Sequence, residues 1–516
     1  MIRDRYARFL ASRYRILLGY VGLINVLTGV LLLAPCLALA AFPEELSLAW
    51  GLAAPGLGLA ACGSLLWGLF LPRGGESLSY QEGAIIVVLA WNAALLTGAL
   101  PFMWVGGLDF TRAFFESASG WTTTGLTVID VASAPRLLLL LRSLLQLAGG
   151  AGLAVIMLSA LAGPSGTGLS AAEGRGEQLL PNVRRSAKLV VSIYGGYVIL
   201  GWGALRLAGM DAFDALNHAC TALSTGGFST RTGSIGYWDS PLLEGVVMVL
   251  MLLGMMNFIT AYTLLRGKFD VVRKNGEIRL ATLLIPAAFI ILFFGVTTGL
   301  YPNLGDQLRV ALFESVSALS TTGFTTTSYG PWSGLGWLVL IILMVIGGAT
   351  GSTAGGLKQY RVYALYRGLL WEFRRALLPQ TAVTAPDVWA GESRRFLSDA
   401  DLRQIASYAF LYLATLAAGA GILTGYGHPF RESLFEFASA LGTVGLSAGI
   451  TTSPAPDGLL WTQTAGMILG RLEFFVVFVG LTRLAGDLAT LAQALGKRRQ
   501  AGETEIRNGK ECGGQK

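Results

Sequence analysis

The sequence has 516 residues, of which 53% are hydrophobic and 13% charged, with a mean hydropathy of +0.58. Soluble domains carry roughly 25% charged residues, so half that share in a chain of this length excludes an ordinary cytosolic enzyme and predicts a polytopic membrane protein. The 38 Lys and Arg outnumber the 31 Asp and Glu, giving a formal charge of +7, but the excess lies in loops between apolar runs and no nucleic-acid partner is expected.

The first apolar run, 16–41, follows Arg3, Arg5, Arg8, Arg13 and Arg15. A charged start suggests a signal peptide, but a run of about 25 residues exceeds the 7–15 of a signal core and predicts a retained transmembrane helix. Further runs of spanning length lie at 48–71, 83–105, 136–162, 187–208, 242–265, 279–300, 333–348, 404–425 and 459–485, which makes ten candidates. If the N-terminal arginines are inside, the positive-inside rule puts Arg73, Arg175/Arg184/Arg185/Lys188, Arg266/Lys268/Arg273/Lys274, the basic stretch 358–403 and Lys497/Arg498/Arg499 on the same, cytoplasmic side. Both termini are then cytoplasmic.

The alternate, outer loops each hold a short helical segment followed by a Gly/Thr/Ser run. About ten helical residues reach only about 15 Å, half a bilayer, so these segments are expected to be re-entrant. Aligned, they form an internal repeat: FESASGWTTTGLT (115–127), NHACTALSTGGFS (217–229), FESVSALSTTGFT (313–325) and FEFASALGTVGLS (435–447). Gly125, Gly227, Gly323 and Gly445 share a column. Thr123, Thr225, Thr321 and Thr443 stand two positions before it, with Thr124, Gly226, Thr322 and Val444 between.

Non-helical backbone at membrane depth survives only where protein buries it or a watery cavity solvates it, because each unpaired carbonyl facing lipid costs several kcal/mol. Four such stretches around one axis can turn their carbonyls inward and replace the water around a cation, glycine tolerating the dihedrals this needs. The C-terminal end of each half-helix, carrying roughly −0.5 charge, favours a cation again. The segments contain no Asp or Glu, so neutral carbonyl and hydroxyl oxygen points to K⁺ rather than to Ca²⁺ or Mg²⁺. A single such segment means little, since Gly and Thr also mark close packing between membrane helices; four in register outweigh that explanation.

Glu116, Glu314 and Glu436 share another column, filled by His218 in the second copy, and precede the glycine by nine residues. That is too far for ligands, and buried hydrogen-bond anchors are expected, with an electrostatic contribution to the pore as the alternative. Asp109, Asp211 and Asp306 lie near three half-helix starts, where a carboxylate caps free N–H groups. The fourth has His428-Pro429, and proline suits a first turn. In IGGATGSTAGGLK (346–358) the glycines Gly347, Gly348, Gly351, Gly355 and Gly356 each disfavour helix by about 1 kcal/mol relative to alanine, although Gly347, Gly351 and Gly355 also have the spacing of helix–helix packing. Both alternatives stand at this point. Arg471 lies in the last apolar run, where a charge faces a cavity or a partner. A local pair with Glu473 is disfavoured because i,i+2 residues point apart on a helix. For Arg142 snorkelling or a buried pair is expected.

Cys36, Cys62, Cys220 and Cys512 form no short-range pair, and no HExxH, Walker A or strand-led GxGxxG is present. No bound cofactor and no catalytic residue is expected. A membrane enzyme with a Ser/Thr nucleophile is a distant alternative, with only His218 near as a base.

These windows resemble the Trk/Ktr/HKT superfamily of potassium transporters over about 83–490, and the two additional N-terminal helices resemble the bacterial TrkH type more than the shorter KtrB type. The resemblance implies an all-α fold of four fused helix–pore-loop–helix units about a pseudo-fourfold pore. The units would be 83–163, 187–266, 279–358 and 404–490, with an N-terminal extension 1–75, a basic connector 359–403 and a tail 491–516. It implies a K⁺ filter built by Thr123, Thr124, Gly125, Thr225, Gly226, Gly227, Thr321, Thr322, Gly323, Thr443, Val444 and Gly445. It favours the interrupted helix for 346–358, as an intramembrane gate of Gly347, Gly348, Gly351, Gly355 and Gly356 with Arg471 beside it. The implied function is gated K⁺ uptake across the bacterial inner membrane, by a homodimer regulated by a cytosolic nucleotide-binding TrkA-like subunit. The connector 358–403 has either membrane lipid or that regulator as its partner. The nearest rival is an H⁺- or Na⁺-coupled K⁺ symporter on the same fold.

Overall fold

The computed structural model describes residues 2–71, 78–152, 183–379, 385–390 and 393–512. Arg73, Arg175 and the stretch 153–163 lie outside them, as do Cys512's side chain and those of Arg3, Arg184, Arg185, Lys188, Lys497, Arg498 and Arg499.

Two N-terminal helices, α1 (Ile2–Leu33) and α2 (Ala49–Phe70), pack closely. Glycines make that approach possible: a Cβ on Gly22 would meet the Gly63 carbonyl at 2.7 Å. After them one order recurs four times: a long helix, a short helix, a non-helical turn and a second helix. The long helices are α3 (Tyr80–Trp104), α6 (Val183–Leu207), α11 (Gly276–Gly295) and α15 (Asp399–Gly425). The short ones are α4 (Phe110–Trp121), α7 (Ala212–Leu223), α12 (Leu304–Leu319) and α16 (Phe430–Leu441). The second helices are α5 (Arg136–Ala151), α8 (Pro241–Met255) with α9 (Phe258–Leu265) and the short α10 (Phe269–Lys274) beyond it, α13 (Gly334–Ile346), and α17 (Asp457–Leu472), which is followed by α18 (Phe474–Cys512). Helix α14 (Gln359–Ala376) leads from the third unit to an antiparallel hairpin of β1 (Asp387–Ala390) and β2 (Ser393–Phe396), an addition to the all-α expectation.

Among the described residues six helices are long and apolar enough to cross a membrane, seven if the bent pair counts as one. Of the ten expected runs, 187–208 forms α6 but is not among these six, and 136–162 continues beyond the described residues; the second helices each stop or break. Helix α5 ends at left-handed Gly152, α13 at Gly347 (φ 71), and α17 at Glu473 (φ 63). Helices α8 and α9 meet at 115°, where the Asn257 side chain accepts the Ile259 N–H at 2.7 Å and donates to the Thr350 carbonyl at 2.5 Å. Apolar length measures burial and not the path of the backbone, so one left-handed residue divides a run that hydropathy joins.

Candidate functional site

Two residues past the end of each short helix stands a threonine with left-handed backbone: Thr123 (φ 56), Thr225 (φ 50), Thr321 (φ 54) and Thr443 (φ 50). Such a conformation costs about 1–3 kcal/mol at a non-glycine residue, and two backbone hydrogen bonds hold it. The Thr123 N–H returns to the Gly120 carbonyl at 3.1 Å and the Thr124 N–H to that of Ser119 at 2.9 Å. The same pair recurs at Thr225/Gly226 (3.1 and 2.8 Å), Thr321/Thr322 (3.2 and 3.1 Å) and Thr443/Val444 (3.2 and 2.8 Å). With the N–H groups spent on the helix, the carbonyls of Thr123, Thr124, Thr225, Thr321, Thr322, Thr443 and Val444 receive no hydrogen bond among the described residues. Gly226 differs: its carbonyl accepts from the Gln146 side chain at 2.6 Å.

The four aligned glycines form a closed ring. A Cβ on Gly125 would run into the Gly226 carbonyl oxygen, one on Gly227 into that of Thr322, one on Gly323 into that of Val444, and one on Gly445 into that of Thr124. The order is cyclic, each unit's glycine facing the next unit's carbonyl and the fourth returning to the first. All four have positive φ, from 73 to 99°. On one side they open into a vestibule of about 530 Å³, also lined by Thr127, Ser229, Thr325 and Ser447.

The acidic column holds that rim in place. Glu116 accepts from Thr127 Oγ1 at 2.5 Å and the Val128 N–H at 2.6 Å. Glu314 accepts from Thr325 Oγ1 at 3.3 Å, the Thr326 N–H at 2.9 Å and the Tyr329 hydroxyl at 2.5 Å. Glu436 accepts from Ser447 Oγ at 2.8 Å, the Ala448 N–H at 2.6 Å and the Thr451 hydroxyl. His218 does the same work, its Nε2 lying 3.0 Å from Ser229 Oγ. In every copy the partner is the hydroxyl residue eleven positions on. Arg142 forms a buried pair with Glu116 at 3.3 Å and stacks over Phe228 at 3.8 Å.

At the half-helix starts, Asp109 accepts the Arg112 N–H and Asp211 the Phe213 N–H, each at 3.0 Å. Those N–H groups hold both carboxyls below their ordinary range. Asp306 is not a cap: α12 begins earlier, after Asn303, and Asp306 pairs with Arg309 at 3.2 Å. Pro429 occupies the position before the first turn of α16, not the turn itself.

Beneath the ring, on the side away from the vestibule, residues 347–358 are not helical, so close helix packing does not explain their glycines. A Cβ on Gly347 would strike the Gly355 carbonyl, and one on Gly355 the Gly442 carbonyl and the Thr443 hydroxyl. The Gly355 N–H donates to Thr321 Oγ1 at 2.8 Å. A Cβ on Gly351 would lie 3.1 Å from Asn257 Nδ2, and one on Gly348 would strike the Ala354 side chain. A Cβ on Gly356 would lie 2.7 Å from Gly347 Cα. Arg471 donates to the Thr353 carbonyl at 2.6 Å and to those of Gly149 and Gly150 at 2.5 and 3.0 Å, closing the C-terminal end of α5. Glu473 pairs with Arg361 on α14, both oxygens at 2.8 Å. That pair was not legible in the sequence, and neither was Gln146. The serine column Ser119, Ser317 and Ser439 was available in the aligned windows: Ser119 and Ser439 accept the Gly125 and Gly445 N–H groups at 3.0 and 2.9 Å, and Ser317 donates to the Phe324 carbonyl at 2.5 Å.

The family model described as TrkH, cation transport protein, matches residues 60–484. The chain is 33% identical over 444 residues to the Trk system potassium uptake protein TrkH of Escherichia coli (strain K12), covering 82% of this chain and 89% of that protein. It is 32% identical over 473 residues to an uncharacterized cation transporter of Methanocaldococcus jannaschii, covering 89% and 93%. The crystal structure of the potassium transporter TrkH from Vibrio parahaemolyticus superposes with a TM-score of 0.79 at 28% identity, covering 90% of this chain and 98% of that one.

Proposed function

The chain belongs to the TrkH family of cation transport proteins, and from that premise we propose that it takes up K⁺ through the ring of Gly125, Gly227, Gly323 and Gly445. The family is one of transporters and the chain is not an enzyme. It is a multi-pass membrane protein.

The observation that carries the reading is the cyclic contact of each glycine with the next unit's carbonyl. Carbonyls with no internal partner, at the negative ends of four half-helices, replace a monovalent ion's water. The filter is Thr123–Gly125, Thr225–Gly227, Thr321–Gly323 and Thr443–Gly445. The ring contains no carboxylate or histidine to couple K⁺ to a proton, so ions pass down their electrochemical gradient. Residues 347–356, held by Arg471, are the gate.

In this reading the four units are 83–163, 187–266, 279–358 and 404–490, and both termini are on the cytoplasmic side of a bacterial inner membrane. The chain is the membrane subunit of a multi-component system, a homodimer that docks a nucleotide-binding TrkA-like subunit. Helix α14 supplies a surface for that, with Tyr366, Leu369 and Phe373 exposed along one side and Leu377 exposed just past its end. Tracer rubidium flux into vesicles holding the purified protein tests the filter: Gly125→Ser and Gly323→Ser lower K⁺ preference over Na⁺, and unaltered preference refutes the assignment.

A further inference from the structure

The four threonines at the base of the ring are chemically alike but unequally engaged. Thr321 Oγ1 accepts the Gly355 N–H at 2.8 Å, and Thr225 Oγ1 lies 3.1 Å from the Thr353 hydroxyl. The hydroxyls of Thr123 and Thr443 are fully buried and have no hydrogen-bond partner among the described residues. Gly355 and Thr353 both belong to one segment, the 347–358 loop, while Thr225 Oγ1 also donates to the Ser224 carbonyl at 2.7 Å. The same loop lays Gly355 against Thr443 so closely that no side chain fits between them.

A buried hydroxyl without a partner costs about 1–3 kcal/mol, and here two of them flank the axis the loop blocks. A dehydrated monovalent cation on that axis satisfies all four hydroxyl oxygens at once. It cannot do so while the Gly355 N–H holds a lone pair of Thr321 and the Gly355 backbone fills the space beside Thr443. The N–H, a partial positive charge aimed at an acceptor oxygen, stands where the cation's charge would stand.

We infer that the hydroxyls of Thr123, Thr225, Thr321 and Thr443 form an innermost cation site for which the permeant ion and the closed loop compete, so that K⁺ bound there releases the gate. The inference rests on the filter reading above and adds its regulation. Competition fixes the sign: the loop's opening equilibrium rises with K⁺ by the factor one plus concentration over dissociation constant. Glycine at 355 follows from the same contact, since a side chain there would hold the loop away from the hydroxyls.

Amide hydrogen exchange of the loop, on the full chain in lipid nanodiscs, tests it. KCl is compared with N-methyl-D-glucamine chloride at equal ionic strength, and retention of tracer rubidium is measured on the same sample. At K⁺ about ten times the dissociation constant of the loop-open state, exchange of the peptide holding Gly355 rises roughly tenfold. Thr321→Val speeds that exchange without K⁺ and shrinks the K⁺ effect, while Thr321→Ser restores both. Thr443→Val, which removes a hydroxyl the loop does not bond, leaves the loop protected and moves the K⁺ response to higher concentration. Rubidium retained with loop exchange unchanged or slowed by K⁺ overturns the competition and leaves the filter standing. Rubidium not retained at all removes the filter and the competition with it.

Discussion

Arg471 and Thr353, 118 positions apart in sequence, are joined by a 2.6 Å hydrogen bond from the guanidinium to the backbone carbonyl. The same guanidinium closes the end of α5 through Gly149 and Gly150. A single cation thus ties a loop of the third unit to a helix of the first, from its place in the fourth. Two residues on, Glu473 binds Arg361 of α14, so the break in the last unit grips the loop's helix as well.

Removing the Arg471 tie is expected to free the loop. A hydrogen bond from a charged donor contributes about 1.5–3 kcal/mol, so Arg471→Gln raises unregulated rubidium uptake into proteoliposomes roughly tenfold or more. Arg471→Lys, which keeps the charge but not the forked donors, falls between.

The column of buried acids supports the rim. Glu436→Ala leaves the Ala448 and Thr451 N–H groups and two hydroxyls without their acceptor. Loss of about 3 kcal/mol or more is expected, read as a lower melting temperature in detergent together with reduced K⁺/Na⁺ discrimination in flux. Glu436→Gln keeps an acceptor and loses less of both.

The Arg142–Glu116 pair is buried on both sides, at 1% and 0% exposure. Breaking such a pair from one side costs about 3–5 kcal/mol because the other charge stays buried. Arg142→Met alone therefore destabilises more than Arg142→Met with Glu116→Gln, and thermal melts of the two single variants, the double variant and the parent give the coupling.

The hairpin after α14 has an acid-sensitive lock. A hydrogen bond from Arg394, with Arg367 beside it, holds the Asp387 carboxyl below its ordinary value of 3.8. A depressed folded value means the contribution is fully present above pH 3.8 and is lost as pH falls through the folded value. Hydrogen exchange at Leu397, whose N–H bonds the Pro386 carbonyl at 2.8 Å, is expected to quicken across that window and to lose this dependence in Asp387→Asn.

The ring and its anchors were legible because they repeat. One TTGFT is ambiguous, but four in register tie Thr123, Thr225, Thr321 and Thr443 to one geometry, and the acid column eleven residues before a hydroxyl is visible in the same alignment. The helix breaks were not legible. Asn257 and Glu473 are ordinary residues within apolar runs, and only their backbone and distant partners, Thr350 and Arg361, show why the helix stops there. Asp306 lies in the first turn of α12 without capping it, because the helix starts earlier than composition suggests. Arg142 was open between snorkelling and pairing because its partner, Glu116, stands 26 positions away on another helix.

Anomalous diffraction from crystals soaked in rubidium or thallium shows whether the four glycines encircle one ion path. Peaks are expected on the axis between the carbonyls of Thr124, Gly226, Thr322 and Val444, lost in Gly323→Ser. Peaks elsewhere in the protein with none inside the ring would contradict it.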